Sequence, residues 1–118
     1  YQRALGYETF ADYLRETSRR DLVDAIFCEN DILAIGAIDS IRDAGMDGEI
    51  AVVGFDDIEL SASPNYQLTT FRQPLEVLVT EAIRRLIAEN EPPSSFLARG
   101  SIAIRKTHIK RADCQELS

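Results

Sequence analysis

The sequence is poor in the residues that build metal sites and disulfide frameworks. Its 118 residues include two cysteines and one histidine. Metal sites need such residues in closely spaced pairs, and Cys28 and Cys114 lie far apart in the chain. We therefore expect neither a bound metal nor a disulfide. Cysteine use of this kind fits a reducing compartment, and we expect the cytoplasm.

Long hydrophobic runs are also absent. No stretch approaches the roughly 20 apolar residues that span a bilayer, and residues 1–10 lack the basic start and apolar block of a signal peptide. We therefore expect no membrane partner. The composition, 45% apolar and 28% charged, is that of an ordinary globular domain, and the chain is long enough to bury a core.

An excess of positive charge is missing too, since the formal net charge is −7. Proteins that bind nucleic acids usually present a basic face, because neutralising phosphates drives their affinity. Here only Arg19-Arg20, Arg84-Arg85 and residues 105–111 are locally basic, and solvated surface explains them best. We expect no direct contact of this chain with DNA.

The motifs of common enzymes do not occur. The only histidine, His108, has no Gly-x-Ser-x-Gly nucleophile motif to serve, and the glycines form no phosphate-binding loop. The adjacent carboxylates Asp56 and Asp57 would point apart in a strand. We therefore predict no catalytic residue, no cofactor and no enzymatic activity.

Helical and strand patterns alternate along the chain. Apolar residues at helical spacing predict helices over 1–17, from Asn30 or Asp31 to a left-handed cap at Gly45, and from Pro74 to Pro92-Pro93. Short apolar runs predict strands over 25–28, 50–55, 68–71 and 101–106. This order indicates an α/β fold, with a parallel sheet flanked by helices.

Polar residues follow two of the predicted strands. Asn30 comes after the first, and Asp56 directly after the second. Ligands of parallel sheets bind at the carboxyl ends of the strands, where an amide and a carboxylate could hold vicinal hydroxyls. Both residue types are also common helix caps and turn formers. Position alone favours neither interpretation.

Four segments together resemble the LacI/GalR family of transcription regulators. Residues 24–37 (DAIFCENDILAIGA) resemble the family pattern AI-F-x-x-ND-x-x-A-x-GA, and residues 50–58 (IAVVGFDDI) resemble SVVGFDDI. Residues 68–74 (LTTFRQP) resemble LTTVRQP, and residues 3–7 (RALGY) resemble R-x-x-G-Y/F. The order and spacing agree from residue 3 to about 107, although the family's Glu-Ser-Thr ending reads Lys106-Thr107-His108 here.

The resemblance implies a type 1 periplasmic-binding-protein-like fold of two lobes, with an effector between them. Residues 1–71 would belong to the C-terminal lobe, and residues 72–98 would cross a hinge and give a helix to the N-terminal lobe. Residues 99–109 would return to the C-terminal lobe, and residues 110–118 would form a tail. The fold would be incomplete, mainly the C-terminal lobe, with apolar sheet edges uncovered.

The resemblance also implies ligand-binding residues. Arg3 matches the arginine that holds hydroxyls or a carboxylate of the effector. Asn30 matches the asparagine of the ND motif, and Asp56 matches an acceptor for sugar hydroxyls. Gln73 at the hinge is a weaker candidate. Their suitability follows from the forked donors of arginine and the two acceptor oxygens of a carboxylate. If they act together, Arg3, Asn30 and Asp56 should meet at one edge of the sheet. Asp31 and Asp57 are better interpreted as a cap and a structural carboxylate.

The function implied is effector sensing, with a sugar or related polyol as the effector and a homodimer as the working form. Residues 60–66 and the second helix lie where the family often dimerises. DNA would be contacted only through a helix-turn-helix headpiece that this chain lacks, so we expect a fragment. Two alternatives remain open: a piece of a type 1 periplasmic sugar-binding protein, which uses the same fold, and a remnant without function.

Overall fold

The computed structural model describes residues 2–88 and 96–111, so the predicted helix end at Pro92-Pro93 and the thiol of Cys114 lie outside the described residues. The elements are α1 (Arg3–Glu16), β1 (Ala25–Phe27), α2 (Asp31–Asp43), β2 (Ala51–Phe55), β3 (Thr69–Arg72), α3 (Leu75–Ile87) and β4 (Ser101–Ala103). Short 3-10 helices cover Arg19–Asp21 and Glu59–Ala62. No helix in these ranges is long and apolar enough to cross a membrane.

The strands form one sheet in the order β1-β2-β3-β4. β1, β2 and β3 are parallel, as predicted, but β4 runs antiparallel to β3. The sheet is therefore mixed: its three leading strands have the predicted parallel arrangement, and β4 departs from it. The chain leaves β3 at Arg72 and pairs again through Ser101, directly opposite Arg72. Because it returns at the end from which it left, β4 must run in the opposite direction.

Helix α2 begins and ends where the sequence predicts. The Asn30 side chain accepts a hydrogen bond from the amide of Leu33, which caps the first turn. At the other end Gly45 has φ of 71°. Its amide donates to the Arg42 carbonyl and the next amide donates to the Ile41 carbonyl, which is the Schellman pattern. The helix is thus fixed at both ends by its own sequence.

Helix α1 packs closely on α2 because both carry glycine at the crossing. A Cβ added to Gly6 would lie 2.4 Å from the Leu33 carbonyl oxygen. One added to Gly36 would lie 2.2 Å from the Arg3 carbonyl oxygen. The two backbones can approach this closely only without side chains at these positions.

The core lies between α2 and the sheet and is centred on Ile35, Val52 and Leu68. A carboxylate is buried with it. Asp31 is fully buried, and it accepts hydrogen bonds from the Thr70 hydroxyl at 2.6 Å, the Ser61 hydroxyl at 2.6 Å and the Ile58 amide at 3.0 Å. This one side chain joins the start of α2, the 3-10 helix after β2, and β3.

Apolar surface is exposed on α3 and at the β1 edge of the sheet, among other positions. No residue of α3 is buried, although the helix carries the regular apolar stripe that the sequence shows. At the free edge of the sheet, Phe27 of β1 is 67% exposed. Both observations fit a partial domain, and the assignment of α3 to a second lobe stays a prediction.

Cys28 follows β1 and packs against the core, as the apolar run around it predicts. Burial, with a smaller effect from the charge of Asp31, raises the pKa of its thiol to about 11. The thiol is therefore protonated at neutral pH and is a poor nucleophile.

We predict that replacing Asp31 by Asn lowers the free energy of unfolding by about 2–4 kcal/mol, because one acceptor oxygen becomes a donor facing buried donors. Urea denaturation followed by circular dichroism measures the change. Asp12→Asn is the matched control, since Asp12 has an exposed side chain. Equal stability of the two variants would refute the role given to Asp31.

We also predict slow alkylation of Cys28. In a Cys114→Ser background, iodoacetamide at pH 8 should react with it about 100-fold more slowly than with a free cysteine peptide, because so little thiolate is present. The rate should still be rising at about pH 10. A plateau near pH 9 would show an ordinary thiol.

Candidate functional site

The sharp turn after β2 carries the first candidate residue, Asp56. Asp56 and Asp57 have φ of 128° and 58°, in the region that residues other than glycine rarely adopt. The Asp56 amide donates to the Phe71 carbonyl at 2.9 Å. The Gln73 side-chain amide donates to Asp56 Oδ1 at 3.0 Å. The structure therefore brings together two of the four predicted ligand-binding residues, at the carboxyl ends of β2 and β3.

The side chain of Asp57 does not join the Asp56–Gln73 contact but is bound by two arginines. It accepts from Arg72 Nε at 2.6 Å and from Arg105 Nη2 at 2.7 Å. Arg105 also donates to the Leu68 carbonyl at 2.8 Å. Burial would raise the pKa of Asp57, but the hydrogen bonds and charges of Arg105 and Arg72 outweigh it and hold the pKa below its ordinary value. Asp57 is structural, and it ties the end of β3 to the segment that follows β4.

An aromatic pair lies beside the Asp56–Gln73 contact. Phe55 and Phe71 are register partners on β2 and β3, and their rings stack with centroids 5.2 Å apart and planes 14° apart. Gly100 leaves room for this stack, because a Cβ there would lie 2.2 Å from the Phe71 ring. Both phenylalanines are half-buried, so the polar pair borders an apolar surface that is partly accessible.

Asn30 lies at the carboxyl end of β1, the strand next to β2. Its Oδ1 is occupied by the cap on the Leu33 amide. No hydrogen bond joins its side-chain NH2 group to another of the described residues, so two donors remain for a ligand. The helix-cap and ligand interpretations of Asn30 are therefore compatible.

Arg3 is placed elsewhere. Its Nε donates to Asp39 Oδ2 at 2.8 Å and its Nη2 to the Tyr66 hydroxyl, which in turn donates to Asp39 Oδ1 at 3.0 Å. Asp39 is eight residues beyond Asp31, roughly 12 Å along α2 at 1.5 Å per residue. The structure thus engages Arg3 in the α1–α2 contact and does not join it to Asn30 and Asp56.

The arrangement offers acceptors and donors for hydroxyl groups next to an aromatic surface. Such a mixture of apolar surface and a few directed polar groups is typical of small-molecule sites. Within residues 2–88 and 96–111, no group of three or more histidine, cysteine, aspartate or glutamate side chains is arranged to hold a metal ion.

The sequence did not reveal the arginine pair on Asp57, because Arg105 is 48 residues away in the chain.

Comparison with known families agrees with the fold. A model of the periplasmic binding protein-like domain matches residues 2–107. Among curated proteins, the chain is 36% identical over 87 residues to the HTH-type transcriptional regulator MalR of Streptomyces coelicolor, which covers 69% of this chain and 25% of that protein. It is 39% identical over 72 residues to the HTH-type transcriptional regulator GalR of Escherichia coli K12, covering 58% and 21%.

Solved structures of the same kind superpose on the chain. The Lac repressor dimer bound to operator and the anti-inducer ONPF matches with a TM-score of 0.80 at 27% identity, over 92% of this chain and 38% of that one. A LacI family transcriptional regulator from Lactobacillus casei with bound sucrose matches with a TM-score of 0.73 at 25% identity, over 91% and 41%. The chain spans about a quarter or less of the two curated relatives named above. It belongs to the family of periplasmic binding protein-like domains, in the form that LacI/GalR-type transcription regulators carry.

Proposed function

We propose that this chain is the effector-sensing part of a LacI/GalR-type transcription regulator and that it binds a sugar-like molecule at the carboxyl ends of its parallel strands. The observation that carries the proposal is the Asp56–Gln73 pair. A carboxylate on a strained turn accepts a hydrogen bond from the side-chain amide of Gln73, the residue that directly follows the neighbouring strand. Backbone strain of this kind is concentrated at ligand-binding positions.

The remaining hydrogen-bonding groups suit a polyol. Oδ2 of Asp56 has no hydrogen-bond partner among the residues described, and a carboxylate oxygen can accept from a sugar hydroxyl. Asn30 supplies free N–H donors at the next strand. Phe55 and Phe71 offer an apolar surface to the ring carbons of the ligand. Arg3, engaged by Asp39 and Tyr66, is not needed in this site.

The relatives support regulation over transport. The curated proteins named above are transcriptional regulators, and one matching structure is a repressor dimer bound to operator. By this analogy the working protein is a cytoplasmic homodimer that contacts DNA through a separate headpiece. The sucrose bound to the Lactobacillus casei regulator supports a sugar as the ligand class.

The signal would travel through the strands that lead to the hinge. Ligand binding at Asp56 shifts the population toward the lobe arrangement that binds the ligand more tightly. The neighbouring residue, Asp57, holds Arg72 at the end of β3 and Arg105 beyond β4. A change at the turn therefore acts on both chain segments that cross between the lobes.

We predict that a panel of mono- and disaccharides that includes sucrose contains a compound that shifts backbone amide signals near Asp56 and Gln73 in NMR titrations. Asp56→Asn and Gln73→Leu should each weaken that binding about tenfold or more. The first replaces a charged acceptor, and the second removes the amide that holds Asp56 in place. Asp12→Asn is the matched control and should bind as the wild type. Unchanged affinity in both site variants would contradict the assigned site.

A stability comparison tests the strain at Asp56 separately. Asp56→Gly and Asp56→Ala both lose the hydrogen bond from Gln73, but only glycine adopts φ of 128° without strain. We predict that the glycine variant is more stable than the alanine variant by about 1 kcal/mol in urea denaturation. Both should lose sugar binding. An alanine variant as stable as the glycine variant would show that the turn is unstrained.

A further inference from the structure

A cavity lies at the opposite end of the sheet from Asp56. It has a volume of about 340 Å³, is open to solvent on one side, and is lined by the last turns of α2, the turn at Asp47-Gly48, residues 64–67 and residues 106–111. Gly48 precedes β2 and Gln67 precedes β3, so the cavity is at the amino ends of these strands. The five residues of β2 place it roughly 16 Å from the strand ends that carry the proposed sugar site.

The cavity has an apolar floor and a cationic rim. Ile38, Ile41 and Val52 form part of the floor. Arg42, Lys106 and Arg111 supply three positive charges, and Asp47 supplies one negative charge. The local charge is thus positive in a chain whose formal net charge is −7.

The cations of the rim are only weakly neutralised. Asp47 is 3.6 Å from Arg42 Nε and 3.5 Å from Arg111 Nη2, longer than a good charge-assisted hydrogen bond. The side chain of Lys106 has no hydrogen bond or ion pair to any residue in the described part of the chain. A ligand can therefore accept hydrogen bonds from the three N–H groups of the Lys106 ammonium. Part of the donor capacity of Arg42 and Arg111 is available to it as well.

We propose that this cavity binds a small amphiphilic anion, a carboxylate or phosphate attached to a short apolar body. The volume is at the lower end of the roughly 300–1,000 Å³ of small-molecule pockets, which suits a body of a few carbon atoms. Arginine pairs bind planar carboxylates and phosphates through forked donors. The isoleucines beneath them would cover the apolar part. This site is independent of the proposed sugar site.

The test uses the 118-residue chain labelled at isoleucine methyl groups, because Ile38, Ile41 and Ile109 line the cavity. Hexanoate and hexyl phosphate are titrated as probes for the two anion types, with hexanol and inorganic phosphate as probes for each half of the ligand. We expect saturable shifts of these methyl signals with at least one of the two amphiphilic anions. Hexanol and phosphate alone should bind more weakly, because each uses only one part of the cavity.

Variants distinguish binding of the anion in the cavity from nonspecific attraction of the anion to positive charge on the surface. Lys106→Gln and Arg111→Gln should each weaken binding about fivefold, as expected for the loss of a partly exposed charge contact. Arg20→Gln removes an exposed cation outside the cavity and should leave binding unchanged. Hexanol shifting the same signals as strongly as hexanoate would overturn the proposal. So would shifts that follow protein concentration instead of added anion, because the occupant would then be a second copy of the chain.

Discussion

The arrangement of this domain depends on one buried carboxylate. Asp31 has no exposed surface, and each of its oxygens accepts a hydrogen bond shorter than 2.7 Å from a hydroxyl group. Leaving such a group without partners would be costly, because a buried charge has lost its hydration. The need to supply hydrogen-bond donors to Asp31 therefore fixes how α2, the 3-10 helix at Glu59–Ala62 and β3 are placed relative to one another. Gly54 completes it, since a Cβ there would lie 2.2 Å from Asp31 Oδ1.

Within this arrangement the neighbouring residues Asp56 and Asp57 differ in how many of their carboxylate oxygens are bound. Asp57 faces Arg72 and Arg105 and is fully engaged in holding the sheet together. Asp56, one residue earlier, keeps an oxygen without a partner among the described residues and has one amide neighbour in Gln73. The turn that separates their directions requires positive φ at both residues. Strain is tolerated here because the surrounding contacts fix the backbone on both sides.

Helix α2 runs from one proposed site to the other. Its first turn is capped by Asn30 beside the sugar site, and its last turn supplies Arg42 to the anion cavity. The two sites differ in character: one offers a carboxylate and amides for neutral hydroxyls, and the other offers cations for an acid. A molecule that suits one is therefore poorly matched to the other, and each proposal can fail without the other.

The local sequence by itself determined the elements of the fold. Apolar periodicity placed the helices, and Asn30 and Gly45 set the ends of α2. The position of Asp56 after a buried strand left a turn former and a ligand-binding residue equally open. These features depend on neighbours within a few residues, so they can be recognised along the chain. The resemblance of the same motifs to the LacI/GalR family implied, in addition, a two-lobed fold and a role in effector sensing.

Tertiary structure decided which distant residues meet. Asp31 finds Thr70 across 39 positions, and Arg3 finds Asp39 across 36, away from the strand ends where the resemblance had placed it. The reversed direction of β4 follows from where the chain re-enters the sheet. The cationic cavity exists only because residues 106–111 fold back against the end of α2. Contacts of this kind depend on the path of the chain in space, and no local pattern of residues encodes that path.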